Sequence, residues 1–151
     1  MGSIPDEDAK IQKNKKDIKM DLSKLNLNWN QADNLIPAIV QDFQSKDILM
    51  FAFVNQQSLQ ETIKSGYATY WSRSRKKLWK KGEESGHLQK IVNIFTDCDN
   101  DALIFQVEQI GGIACHTGRK SCFYKELSPI IEWRERKDLP ILKNPEEIYK
   151  K

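Results

Sequence analysis

No stretch of this 151-residue chain stays apolar for the roughly 20 residues that a membrane-spanning helix needs. The N-terminus also lacks the apolar core of a secretory signal peptide. Neither a membrane helix nor an export leader is expected, and the expected compartment is the cytoplasm. Internal repeats and low-complexity tracts are missing as well. Cysteine is scarce: three thiols, spaced C-x16-C-x6-C, an odd number that cannot all pair within one chain. Free thiols without an export signal fit a reducing compartment. No two of them make the tight C-x-x-C pair of a zinc ribbon or finger. Neither His87 nor His116 is followed by x-Glu, so the zinc-deaminase pattern is absent. Charge of one sign is lacking too. A net charge of +3 neither requires nor excludes a nucleic-acid partner.

What is present reads as one soluble domain, with 39% hydrophobic and 30% charged residues and enough length to bury a core. Residues 1–20 are rich in Lys, Asp, Glu and Gln and are expected to be a flexible N-terminal segment. Residues 21–127 carry the domain. Residues 128–151 form a charged, proline-punctuated tail whose packing material is Ile130, Ile131, Trp133, Leu139, Ile141 and Leu142. Apolar runs at 35–42 and 47–54 flank Gln44-Ser45-Lys46 and predict a hairpin. Asn55 is placed to cap a short helix bearing Leu59 and Ile63 on one face, with Gly66 to end it. Residues 67–74 are strand-like, 90–95 and 102–109 predict a second strand pair, and 122–127 a last strand. The fold class expected is mainly β, α+β by element count, with one or two short helices.

The chemistry concentrates between Thr96 and Phe123. Three thiolates make a common zinc set that leaves a coordination position open. Cys98 lies among aspartates and Cys115 beside His116, surroundings that suit ligands better than core filling. Asp97, Asp99 and Asp101 offer the hard oxygens that magnesium or calcium prefers. They match the start of an EF-hand loop, but Ala102 stands where glycine is required and a strand pattern follows, so that motif is rejected. A soft and a hard metal site thus share one segment. Upstream, Arg73, Arg75, Lys76, Lys77, Lys80 and Lys81 interleave with Trp71 and Trp79. Such a stretch is commonly a solvated loop; it also suits stacking on a base while holding phosphate. One reading of it is a zinc-stabilised module binding single-stranded nucleic acid.

The ordered set Trp71-Ser72-Arg73-Ser74-Arg75, Leu78-Trp79-Lys80-Lys81-Gly82-Glu83, Ser85-Gly86-His87-Leu88-Gln89, Asp97-Cys98-Asp99-x-Asp101 and Ala114-Cys115-His116-Thr117-Gly118 with Ser121-Cys122-Phe123 strongly resembles the phosphoribosyl-AMP cyclohydrolase family. The likeness runs from about Leu35 to Tyr124. It implies a zinc-dependent hydrolase of histidine biosynthesis that opens the adenine ring of phosphoribosyl-AMP. It implies a mixed-sheet β pseudobarrel forming an interlocked homodimer, with Zn2+ on Cys98, Cys115 and Cys122 drawn from both subunits. Mg2+ is implied on Asp97, Asp99 and Asp101. The small-molecule substrate is then the expected partner, with neither nucleic acid nor membrane. Arg73, Arg75, Trp79, Lys81, Glu83, Ser85 and His87 are the candidate substrate contacts. His116, next to a ligand cysteine, is the first candidate base, and His87 the second. Some family members carry a fused pyrophosphohydrolase domain; residues 128–151 are too few for one, so the single-activity form is expected.

Overall fold

Two apolar runs, each alternating between buried and more exposed positions along most of its length, lay down the first hairpin. The computed structural model describes residues 21–149, so the segment read as flexible, 1–20, lies outside the described residues. In β1 (Ile36–Asp42) the side chains of Ile36, Ala38 and Val40 are buried. Their partners across the hairpin in β2 (Ile48–Val54) include Val54, Ala52 and Met50, buried on the same face. The turn between them is held by Asp42, whose carboxylate accepts from the backbone N–H groups of Gln44 at 2.8 Å and Ser45 at 3.0 Å. Helix α1 (Gln56–Ser65) begins at a reciprocal cap, in which Asn55 Oδ1 accepts from Ser58 N and Ser58 Oγ accepts from Asn55 N. It ends at Gly66, whose φ of 81° suits glycine. Thr62 Oγ1 accepts from Thr69 N at 2.9 Å and so ties α1 to the strand that follows.

The chain continues through β3 (Thr69–Ser72), β4 (Lys77–Lys80), β5 (Gln89–Thr96) and β6 (Leu103–Gln109). These strands make one six-stranded sheet in the order β4-β3-β2-β1-β6-β5. All neighbours are antiparallel except β1 and β6, which run parallel, so the sheet is mixed. The chain entering β3 meets β5: Ala68 N donates to Gln89 O at 2.9 Å, and Ile91 N to Gly66 O at 2.8 Å. That junction curls the sheet into a half-barrel around Leu49, Val54, Tyr70, Phe105 and Val107. Among the described residues the fold is mainly β with two α-helices, as the sequence predicts. The basic stretch differs from the expectation of a charged loop: Lys77–Lys80 is strand β4, paired with β3 from Ser72↔Lys77 to Thr69↔Lys80. The last predicted strand is shorter, β7 (Lys125–Leu127), and pairs with β8 (Trp133–Glu135) in a separate two-stranded sheet. Helix α2 (Pro145–Ile148) closes the described chain.

Inside the half-barrel runs a buried polar line. Tyr70 Oη donates to Gln89 Oε1 at 2.5 Å, and Gln89 Nε2 donates to Gln109 Oε1 at 2.9 Å. Gln109 Nε2 in turn donates to the His87 carbonyl at 3.0 Å. Burial pushes the Tyr70 hydroxyl's pKa well above its usual value, so it stays a donor. Its ring stacks on Phe105, with centroids 5.8 Å apart. Tyr70→Phe keeps that packing but leaves Gln89 Oε1 without its donor. The variant is expected to lose about 1–3 kcal/mol of unfolding free energy in urea, with an unchanged denaturant slope. A loss near zero would show that the line carries no stability.

Candidate active site

The β3–β4 hairpin, the Lys81–Leu88 loop and the segment Ala114–Phe123 surround a cleft of about 800 Å³. Of the residues singled out from sequence, Arg75, Trp79, Lys81, Glu83, Ser85, His116 and Cys122 line it. Lys81 reaches across, its ammonium donating to the Ala114 carbonyl at 2.6 Å. Burial lowers its pKa, while the neighbouring Cys122 and Cys115 favour its charged form. Gly82 permits the approach of this loop to His87, since a Cβ there would lie 2.4 Å from the His87 carbonyl carbon. Trp79 packs on Tyr70 at 5.5 Å between ring centroids, so it serves the sheet as well as the cleft.

Two candidates stand elsewhere. The Arg73 guanidinium lies over the Phe53 ring, 4.2 Å from its centroid, and is not part of the cleft wall. His87 is also outside the wall; its ring rests on Gly111, where a Cβ would come within 2.5 Å of Cδ2. Burial lowers the His87 pKa, with Lys143 and Lys81 acting in the same direction. The wall also includes Lys77, Lys80, Glu84 and Tyr149, which sequence reasoning did not select as site residues.

The thiols divide into a pair and a single. Cys115 is buried and Cys122 exposed, and their sulfurs interact. The Cys122 thiol lowers the Cys115 pKa to about 5, assisted by the Thr117 hydroxyl donating at 3.1 Å. Cys122 is pushed up in return, so within the pair the thiolate is favoured on Cys115. A second cavity of about 410 Å³ borders the pair, with Phe123, Tyr124 and Trp133 in its wall. Cys98 does not join the pair: among the described residues, the only group placing three such ligand atoms within 4.8 Å of one another is Asp97, Asp99 and Asp101. The topology explains this. Cys98 precedes β6 and Cys115 follows it, and that strand is roughly 20 Å long.

The acidic group sits on the β5–β6 connection, where Asp97 Oδ1 accepts from Asp101 N at 3.0 Å and Ala102 N at 3.2 Å. The stretch just before β1 braces this loop, Asn28 N donating to Asn100 O at 2.8 Å. Asp99 and Asp97, hydrogen-bonded to Asp101, push its carboxyl up to about 6.

A cation-lined cleft with a thiol pair at one end, and three carboxylates on a separate loop, fit more than one reaction class. A family model for phosphoribosyl-AMP cyclohydrolase matches residues 50–124. A protein of that name from Ruthia magnifica is 61% identical over 116 residues, covering 77% of this chain and 90% of its own length. This chain belongs to the phosphoribosyl-AMP cyclohydrolase family. Namesakes from Dechloromonas aromatica and Nitrosomonas europaea are each 57% identical, covering 82% and 83% of this chain and 90% and 94% of their own. The family model's span contains the three cysteines, the acidic triplet and every candidate cleft residue named from sequence.

The raised Asp101 value generates a prediction. Its folded pKa lies above the ordinary 3.8, so Asp101 favours the folded state at low pH and loses that contribution as pH rises through about 6. A divalent cation must displace the shared proton. Carboxyl-detected NMR in chelator is expected to show Asp101 titrating near pH 6, and added Mg2+ to move that midpoint downward. A midpoint near 4 in both conditions would contradict the shared proton.

Proposed function

We propose that this chain hydrolyses 1-(5-phosphoribosyl)-AMP, adding water at C6 of the adenine ring and breaking the N1–C6 bond. The product is the formimino-AICAR ribotide of histidine biosynthesis. The carrying observation is the cleft, in which cations, an aromatic, a histidine and a thiol named from family motifs converge on one cavity. In the substrate the phosphoribosyl group on N1 draws electrons and makes C6 electrophilic. Arg75 and Lys81 hold the phosphates, with Lys77 and Lys80 on the same wall. Trp79 packs beside a ring. His116 is exposed in the cleft next to the thiol pair and takes a proton from the attacking water. As the N1–C6 bond breaks, its electron pair stays on N1, which takes up a proton, and C6 becomes the carboxamide carbon.

Zinc is part of the proposal, held by Cys98, Cys115 and Cys122. The donor set supports it: two neighbouring sulfurs, with the Cys115 thiolate favoured by its surroundings, offer two soft ligands, and a third sulfur is exposed. When bound there, zinc lowers the pKa of a coordinated water. Cys98 stands apart from the pair in one chain, so the third ligand is proposed to come from a second copy. The sheet's outer surface supports such an assembly, since Ile39, Phe51 and Phe95 are 38%, 47% and 48% exposed. Magnesium on Asp97, Asp99 and Asp101 is the second proposed ion. No helix among the described residues is long and apolar enough to cross a membrane. The cytoplasm is the proposed location.

Ring opening changes the chromophore, so ultraviolet absorbance follows the reaction. Purified protein is expected to convert phosphoribosyl-AMP, to stop when zinc is chelated, and to recover when zinc returns. No absorbance change with zinc-loaded protein would overturn the reading, and salt-dependent single-strand binding would then favour the nucleic-acid module.

A further inference from the structure

The charged tail does not trail away from the site. Buried Arg119 holds it at two points, donating from Nε to the Leu139 carbonyl at 3.1 Å and from Nη2 to Glu135 Oε1 at 3.0 Å. Leu142 N then donates to Gly118 O at 2.8 Å. Gly118 has φ of 87°, and a Cβ there would stand 1.9 Å from the Lys143 carbonyl oxygen, so the strap lies directly on the turn after Cys115 and His116. Asn144 caps α2, accepting from Glu146 N at 3.0 Å, and Ile148 is buried. The next residue, Tyr149, enters the wall of the cleft alongside His116 and Cys122.

We propose that Tyr149 is a substrate-contacting residue whose ring packs against the nucleotide base at the thiol end of the cleft. The inference rests on the cyclohydrolase reading and adds a residue lying 25 positions beyond the family model's last matched residue, 149 against 124. Three features direct it. The cleft's cations, Arg75, Lys77, Lys80 and Lys81, answer the phosphates and leave the heterocycle to an aromatic partner. The ring shares the cleft wall with Glu84, His116 and Cys122, so it borders the end where the proposed chemistry takes place. Tyr149 is also 44% exposed although its neighbour Ile148 is buried, so its ring is not spent on the core.

Tyr149→Ala and Tyr149→Phe separate ring contact from hydroxyl contact. AMP serves as the binding probe, read through intrinsic tryptophan fluorescence because Trp79 lines the same cleft; KM for phosphoribosyl-AMP is the second readout. Tyr149→Ala is expected to weaken AMP binding and raise KM about tenfold, with kcat, zinc content and melting temperature close to the parent's. Tyr149→Phe, which keeps the ring, is expected to stay within about threefold of the parent. Parent-like AMP affinity in Tyr149→Ala overturns the inference, and so does a parent that binds no AMP. An equal loss in both variants overturns the ring contact. Absence of turnover in the parent would strike the cyclohydrolase reading instead, and the AMP measurement would still decide the role of Tyr149.

Discussion

The side chain of Gln89 is the constraint on which the site depends. Fully buried, it accepts from Tyr70 on β3 and donates to Gln109 at the end of β6, while its own backbone carbonyl accepts from Ala68. One residue therefore satisfies the polar groups that appear when a flat sheet is curled until β5 meets the chain entering β3. Gln109 passes the constraint onward by holding the His87 carbonyl. That fixes the exit of the loop carrying Lys81, Glu83 and Ser85. No buried side-chain nitrogen or oxygen among the described residues lacks a partner, as a low-dielectric interior demands.

Elements specified by neighbouring residues were legible in the sequence. The first hairpin follows from two apolar runs around the polar connector Gln44-Ser45-Lys46, and α1 from the Asn55 cap and a terminal glycine; the Asp42 contacts and the Ser58 half of the cap are seen in the structure. Strand β4 was not legible, because Lys77-Leu78-Trp79-Lys80 reads as a charge run and becomes a strand only through pairing with β3. The parallel pairing of β1 with β6 joins residues 65 positions apart, such as Ala38 and Leu103, and no local pattern announces it. Within the site, motif order identified Arg75, Trp79, Lys81, Glu83, Ser85, His116 and Cys122, which the fold does bring together. Arg73 belongs to the same motif yet covers Phe53 instead. Tyr149 lay hidden in a tail that looks solvated. Its only sequence signal is the Asn144-Pro145 start of a short helix, and its placement comes from tertiary contacts with Gly118 and Arg119.

The proposed metal ligands fall into two separate groups within one chain. The Cys115–Cys122 pair lies on the cleft side, Cys122 N donating to Leu49 O at the start of β2. Cys98 and the aspartates lie on the β5–β6 connection. In the proposed zinc site, each chain thus supplies two of the sulfurs and, at a distance, the sulfur that the pair of another copy lacks. A second copy would complete both halves at once, because a two-fold axis repeats every contact. Metal binding then contributes directly to assembly.

The most direct test of this account mixes two damaged chains. Cys98→Ser and Cys115→Ser are each expected to be inactive alone. In a mixed pair, however, the first supplies intact Cys115 and Cys122 and the second supplies intact Cys98, which rebuilds one of the two sites. Subunit exchange between equal amounts is expected to restore roughly a quarter of the parent's activity, since about half of random pairs are mixed and each holds one good site. A mixture that forms mixed dimers yet stays inactive would contradict the shared site, and all the ligands would then have to come from one chain.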